Sequence, residues 1–157
     1  MITRRAFSVS LLALAACGRR REPVATPQAV TLFPGETPEM RALIVKYAAV
    51  HEIPESLLHR VIQRESDYRA GARNGPYWGL MQILPETART MGFRGQPSDL
   101  LDAETNLIYA GRYLRGAWLL SDGDEATAVG WYARGYYYEA RDRCMLRVTG
   151  LADRERC

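Results

Sequence analysis

Cysteine and histidine are scarce in this chain: three of the first and two of the second in 157 residues. Neither His51 nor His59 has a cysteine or carboxylate at ligand spacing, so no metal site and no cofactor is expected. Both histidines read as surface residues, His59 because it falls off the apolar stripe of its helix. A strong excess of one charge is also missing. The formal net charge is +3, and Arg4 and Arg5 supply two of those charges. That balance argues against nucleic acid as an electrostatic partner. Repeats and clearly alternating strand patterns are absent as well. What remains is a chain with 47% hydrophobic residues, long enough for one globular domain with a core, and expected to be a monomer.

The first residues do not read as part of that domain. Arg4 and Arg5 form a positive start, and Ala6 to Ala16 is apolar but too short to cross a bilayer as a stable helix. Residues 1–16 therefore read as a signal peptide. The stretch ends Leu14-Ala15-Ala16-Cys17, which resembles the lipobox of bacterial lipoproteins, where the cysteine is acylated and becomes the new N-terminus. The other reading is an ordinary signal peptide that contains a cysteine. Thr3-Arg4-Arg5-Ala6-Phe7 is similar to a twin-arginine export signal. Residues 17–37, rich in Arg, then Pro, Thr and Ala, read as a lipidated start and flexible linker. The expected location is exported, anchored by lipid to a bacterial membrane and facing the periplasm, with the outer membrane favoured. Export permits disulfides, so Cys144 and Cys157 either pair and staple the C-terminal tail or remain free thiols.

From residue 38 onward the spacing predicts a mostly α domain, with at most a short β element near Gly79–Ile83. Thr37-Pro38-Glu39 is a helix start: a capping hydroxyl, proline in the first turn, then an acid. Met40, Leu43, Ile44, Tyr47 and Ala48 follow at helical spacing, and Pro54 opens a second helix. Pro85 starts a short helix that Gly92 stops. Phe93 to Leu101 reads as loop. Asp102 caps a longer helix to Leu120, in which Gly111 suggests the close passage of another backbone. Glu125 to Arg134 is a helix stopped by Gly135, and Glu139 to Val148 reads as a last helix. Tyr136 to Tyr138 suit either a sugar-binding surface or the core.

The residue that carries chemistry is Glu65. Leu57, Leu58, Val61 and Ile62 define the apolar face of the second helix, and Glu65 is the next position on it. A carboxyl facing the core resists ionising, which suits a general acid near neutral pH. The competing reading is a solvated pair with Arg69, four residues on.

Glu65-Ser66, then Gly79-Leu80-Met81-Gln82-Ile83 with Pro85, Thr87 and Ala88, resembles the signature of the soluble lytic transglycosylases. Asn106-Leu107 with Gly111, Tyr113 and Leu114 is similar to that family's next helix, and Trp131-Tyr132-Ala133-Arg134-Gly135 stands where the family carries Ala-Tyr-Asn-Ala-Gly. The resemblance covers roughly residues 40–138. It implies a lysozyme-like α fold and cleavage of peptidoglycan in the cell wall by a lyase. It further implies Glu65 as the catalytic acid, Tyr132 hydrogen-bonded near it, Met81 and Gln82 lining sugar subsites, and Ser66 as a supporting residue, with Ser66, Met81, Gln82 and Tyr132 together binding substrate. Ala133 and Arg134 depart from the family pattern, as does the short chain after Gly135.

Glycosidases usually need two carboxylates roughly 5–9 Å apart. Asp67 lies about 200° round the helix from Glu65, leaving Glu86, Asp99 and Asp102 as candidates for a second. A single-carboxyl reaction that closes a 1,6-anhydro ring avoids that need. Two other readings stand beside it: a hydrolase of goose-lysozyme type, and a peptidoglycan-binding lipoprotein that has lost catalysis.

Overall fold

The computed structural model describes residues 31–157. Over these, the chain forms six α-helices and one short two-stranded antiparallel hairpin, which is the mostly α, lysozyme-like architecture expected. The helices are α1 (Pro38–His51), α2 (Glu55–Glu65), α3 (Pro85–Thr90), α4 (Ala103–Leu119), α5 (Glu125–Arg134) and α6 (Tyr137–Asp142). The hairpin joins β1 (Arg73–Asn74) to β2 (Tyr77–Trp78), between α2 and α3, in the register Arg73 to Trp78 and Asn74 to Tyr77. Among the described residues no helix is long and apolar enough to cross a membrane.

Helix α4 is the centre of the packing. Its stripe of Leu107, Ala110, Leu114 and Ala117 is fully buried. Helix α1 packs along one side of α4 and α5 along another, with α2 bridging from α1 to α5. The helix starts are set locally. Thr37 Oγ1 accepts the Met40 N–H at 3.1 Å, Asp102 the Thr105 N–H at 2.8 Å and Asp124 the Thr127 N–H at 2.6 Å. Each such cap contributes about 1 kcal/mol.

Several expectations need correction. His51 and His59 are buried, not on the surface. His51 Nε2 donates to the Leu107 carbonyl at 2.9 Å, and burial pushes its pKa down, so the ring is held neutral. It is this imidazole, not a passing backbone, that comes close to Gly111: a Cβ there would stand 2.5 Å from His51 Cδ2. His59 is off its helix's core stripe, but Phe33 covers it with ring centres 4.8 Å apart, and its Nδ1 meets the Tyr68 hydroxyl at 2.7 Å. The last residues of the expected linker are thus part of the packed domain. Glu36 is buried there, accepting the Phe33 N–H at 2.9 Å and holding the Arg41 guanidinium.

Two further differences concern secondary structure. Residues Pro97–Leu101 form a 3-10 helix inside the expected loop. The last helix ends at Asp142, because Cys144 turns with φ 53° and so brings Leu146 into the core. Cys144 and Cys157 are disulfide-bonded, with Cα atoms 5.5 Å apart. The Glu155 carboxylate accepts the Leu146 and Arg147 N–H groups at 2.8 and 3.0 Å, which ties down the tail. Of the three consecutive tyrosines, Tyr136 is core and Tyr138 is 70% exposed, so both fates occur.

Gly111→Ala is expected to destabilise the fold by about 1–3 kcal/mol through overpacking against His51. In a His51→Ala background the same change should become neutral or stabilising, since alanine is otherwise the better helix former. Urea unfolding of the four proteins tests this, and costs that simply add would contradict it.

Candidate active site

The loop Gly79–Gln82 is the structural key to the site. It leaves β2 and returns at Ile83, where Trp78 and Ile83 exchange two backbone hydrogen bonds of 3.0 and 3.1 Å. Gly79 takes φ +77°, and a Cβ there would collide with the Leu100 carbonyl and the Asn106 amide. Three helix-borne side chains then satisfy the loop's buried backbone. Asn106 of α4 accepts the Met81 N–H at 2.9 Å and donates to the Trp78 and Leu100 carbonyls at 3.0 and 2.8 Å. Ser66, at the end of α2, donates to the Leu80 carbonyl at 2.6 Å. Tyr132 of α5 donates to the Met81 carbonyl at 2.8 Å. The Gln82 amide donates to the Ala72 and Gly79 carbonyls at 3.1 and 2.8 Å.

A groove runs beside this loop. One cavity of about 300 Å³ is lined by Arg64, Glu65, Asn74, Tyr77, Gln82, Tyr132 and Ala133. A second of about 300 Å³ shares Tyr77, Gln82, Tyr132 and Ala133 with it and continues to Thr87, Tyr113 and Gly135. Glu65 closes α2, with 23% of its side chain exposed. Its partial burial pushes its pKa up, and Arg64, 3.6 Å away, opposes this less strongly. Arg69 does not pair with it; its Nε donates to the Ser66 carbonyl at 2.9 Å. After Ser66 the chain turns through Asp67 and Tyr68 at φ 51° and 63°. That double left-handed step lets α2 stop at the groove.

The groove's tyrosines form a stack. Tyr132 meets Tyr113 edge-on at 5.5 Å, and Tyr113 stacks on Tyr136 at 4.6 Å. Burial raises all three phenols, Tyr113 to about 12, and the nearby Glu65 adds to the rise at Tyr132. They remain neutral.

The structure therefore brings Glu65, Gln82 and Tyr132 into one cavity. Met81 and Ser66 are placed differently from the expectation of sugar contact: both side chains are buried, Met81 completely, and they hold the loop from behind. Tyr132 spends its hydroxyl proton on the Met81 carbonyl, not on Glu65. Cys17 lies outside the described residues. Four residues carried no role in the sequence reading: Arg64, Asn74 and Tyr77 as lining, and Asn106 as the clamp. For Asn106 a signal existed. It precedes Ala110 by one helical turn, so an amide falls on a buried stripe and must find partners there.

Residues 42–142 match the family model described as Transglycosylase SLT domain. The chain belongs to that family. SLT domains are peptidoglycan lytic transglycosylases, lyases that act on a polysaccharide. The substrate of this SLT domain is accordingly the glycan strand of the cell wall. No solved structure matches the chain.

The raised pKa of Glu65 has a stability consequence whose sign is fixed. With the folded pKa above the unfolded value near 4.5, the unfolded state ionises first as pH rises, and the fold loses stability through that window. Glu65→Gln lacks this loss. Its melting temperature should exceed that of the unsubstituted protein at pH 7, with the gap shrinking toward pH 3. A gap that widens on acidification would contradict the assignment.

Proposed function

We propose that Glu65 alone serves as general acid and then general base in cleaving the β-1,4 bond between N-acetylmuramic acid and N-acetylglucosamine. The observation that carries this reading is that Glu65 is the sole carboxyl lining the groove among the described residues, and that burial favours its protonated form. The three other candidates are engaged elsewhere. Asp99 accepts the Gln96 N–H at 2.8 Å, Asp102 caps α4, and Glu86 stands exposed 3.7 Å from Arg89. Among the described residues no second carboxyl lines the groove to serve a two-carboxylate hydrolysis.

The steps then follow from one side chain. The Glu65 carboxyl donates its proton to the bridging oxygen as the bond from the muramyl anomeric carbon breaks. The substrate's own N-acetyl group stabilises the cationic centre. The Glu65 carboxylate next removes the proton from the muramyl 6-hydroxyl, whose oxygen attacks the anomeric carbon. A 1,6-anhydro ring forms, no water is consumed, and Glu65 is again protonated. Gln82 and Tyr132, held on the loop and on α5, shape the wall against which the sugars lie. Ala133 offers that wall only a methyl group.

Mass spectrometry of digested sacculi tests this directly. Anhydromuramyl ends are expected, and Glu65→Gln should lower their yield by about 10²–10⁴-fold. Ordinary reducing ends would reject the reading in favour of a hydrolase of goose-lysozyme type. Retention on sacculi with no cleavage would mark a wall-binding protein.

We further propose that the chain is exported and anchored through an acylated Cys17, with residues before it removed. A substrate outside the cytoplasm supports this, as does the Leu-Ala-Ala-Cys pattern. Cys17→Ser should move the protein from the membrane pellet to the soluble fraction. Continued sedimentation with membranes would contradict the anchor.

A further inference from the structure

One cation on the groove wall has a built seat and no partner among the described residues. Arg134 lines the cavity beside Gln82 and also the one that continues toward Tyr137 and Tyr138. Its guanidinium lies 3.9 Å from the centre of the Trp131 ring. Gly130, one helical turn back, makes room for it: a Cβ there would stand 2.7 Å from Arg134 Nη1. Trp131 thus supplies a face and Gly130 the space, and a stacked guanidinium keeps its in-plane N–H donors free.

Those donors have no acceptor among the described residues. Of the two arginines that line the groove, Arg64 lies 3.6 Å from the Glu65 carboxylate, whereas Arg134 meets no carboxylate among the described residues. Glu139 and Asp142 line the same outer cavity, yet both are taken, by Arg143 at 2.6 Å and Arg141 at 2.7 Å. Toward Glu65 the only other charged side chain lining the groove among the described residues is a second cation, Arg64. The wall therefore presents positive charge and unmet hydrogen-bond donors to whatever lies in it.

The glycan strand has a matching group on alternate sugars. Each muramyl residue carries a lactyl ether that ends in a carboxylate, or in a short peptide with carboxylates of its own. We propose that Arg134 is a specificity-determining residue that receives a carboxylate borne by a muramyl residue in the groove. The planar guanidinium takes it through paired N–H donors, and neutral chitin-like chains are thereby disfavoured. This rests on reading the groove as the glycan site. It concerns binding, so it is separable from the chemistry assigned to Glu65.

The test uses the full chain carrying Glu65→Gln, so that strands are bound without turnover. Affinity is measured for three ligands: strands with peptides, strands stripped by an amidase to the bare lactyl carboxylate, and a neutral chito-oligosaccharide of equal length. Muramyl strands should bind about tenfold more tightly than the neutral chain. Adding Arg134→Ala should remove most of that difference, and Arg134→Lys should restore part of it. Loss confined to peptide-bearing strands assigns the carboxylate to the peptide; loss on both muramyl strands assigns it to the lactyl group. Equal weakening of all three ligands, or no change in their ratio, overturns the inference. Anhydromuramyl products from the unsubstituted protein alongside an unmoved ratio would sink this inference alone. An Arg134-dependent ratio without such products would sink the catalytic reading alone.

Discussion

A single buried amide holds the groove together. Asn106 is fully buried on α4 and uses its oxygen and nitrogen to bind three backbone groups of the segments around Gly79. Its orientation is fixed by those partners, since an N–H only donates and carbonyls only accept. A four-residue turn with no regular ladder carries polar groups that cost about 1–3 kcal/mol each when buried without a partner. Asn106, Ser66 and Tyr132 meet that demand from three different helices. The loop's position is therefore a property of the whole helix packing. Glycine at position 79 follows from the same constraint, because any side chain would occupy the place of the amide.

This clamp also sets the electrostatics. Ser66 pins the end of α2 to the loop, and Glu65 immediately precedes it. The carboxyl thereby lines one cavity with Gln82 and Tyr132, partly buried, where its charged form is disfavoured. The tyrosine stack behind it stays neutral and contributes no competing anion. Two arginines line the groove, Arg64 beside the carboxyl and Arg134 on its indole seat. Among the described residues the groove thus carries one carboxyl and two arginines.

The sequence made these features legible to different degrees. The helix starts at Thr37 and Asp102 were readable because capping is decided within a few residues. Glu65 was readable as the next position on an apolar stripe. The burial of His51 and His59 was not, because it depends on Gly111 of a distant helix and on Phe33 of the preceding segment. A helical wheel reports one helix at a time, and both rings are covered by other elements. The roles of Ser66 and Met81 were displaced by one layer for a similar reason. Motif order places them at the site, but only packing decides which side chains face the groove and which support it. The arrest of α6 before Cys144 lay beyond local reading, since Leu146 must reach the core and the tail must return to close the disulfide.

The most direct measurement is the titration of the Glu65 carboxyl itself, followed by its carbon chemical shift in protein labelled at glutamate side chains. The shift should report a midpoint clearly above the ordinary glutamate value of 4.5, and the midpoint should rise further when Arg64→Gln removes the opposing charge. A midpoint at or below 4.5 would show a solvated, ionised group at neutral pH, and would contradict the assignment of Glu65 as the proton donor.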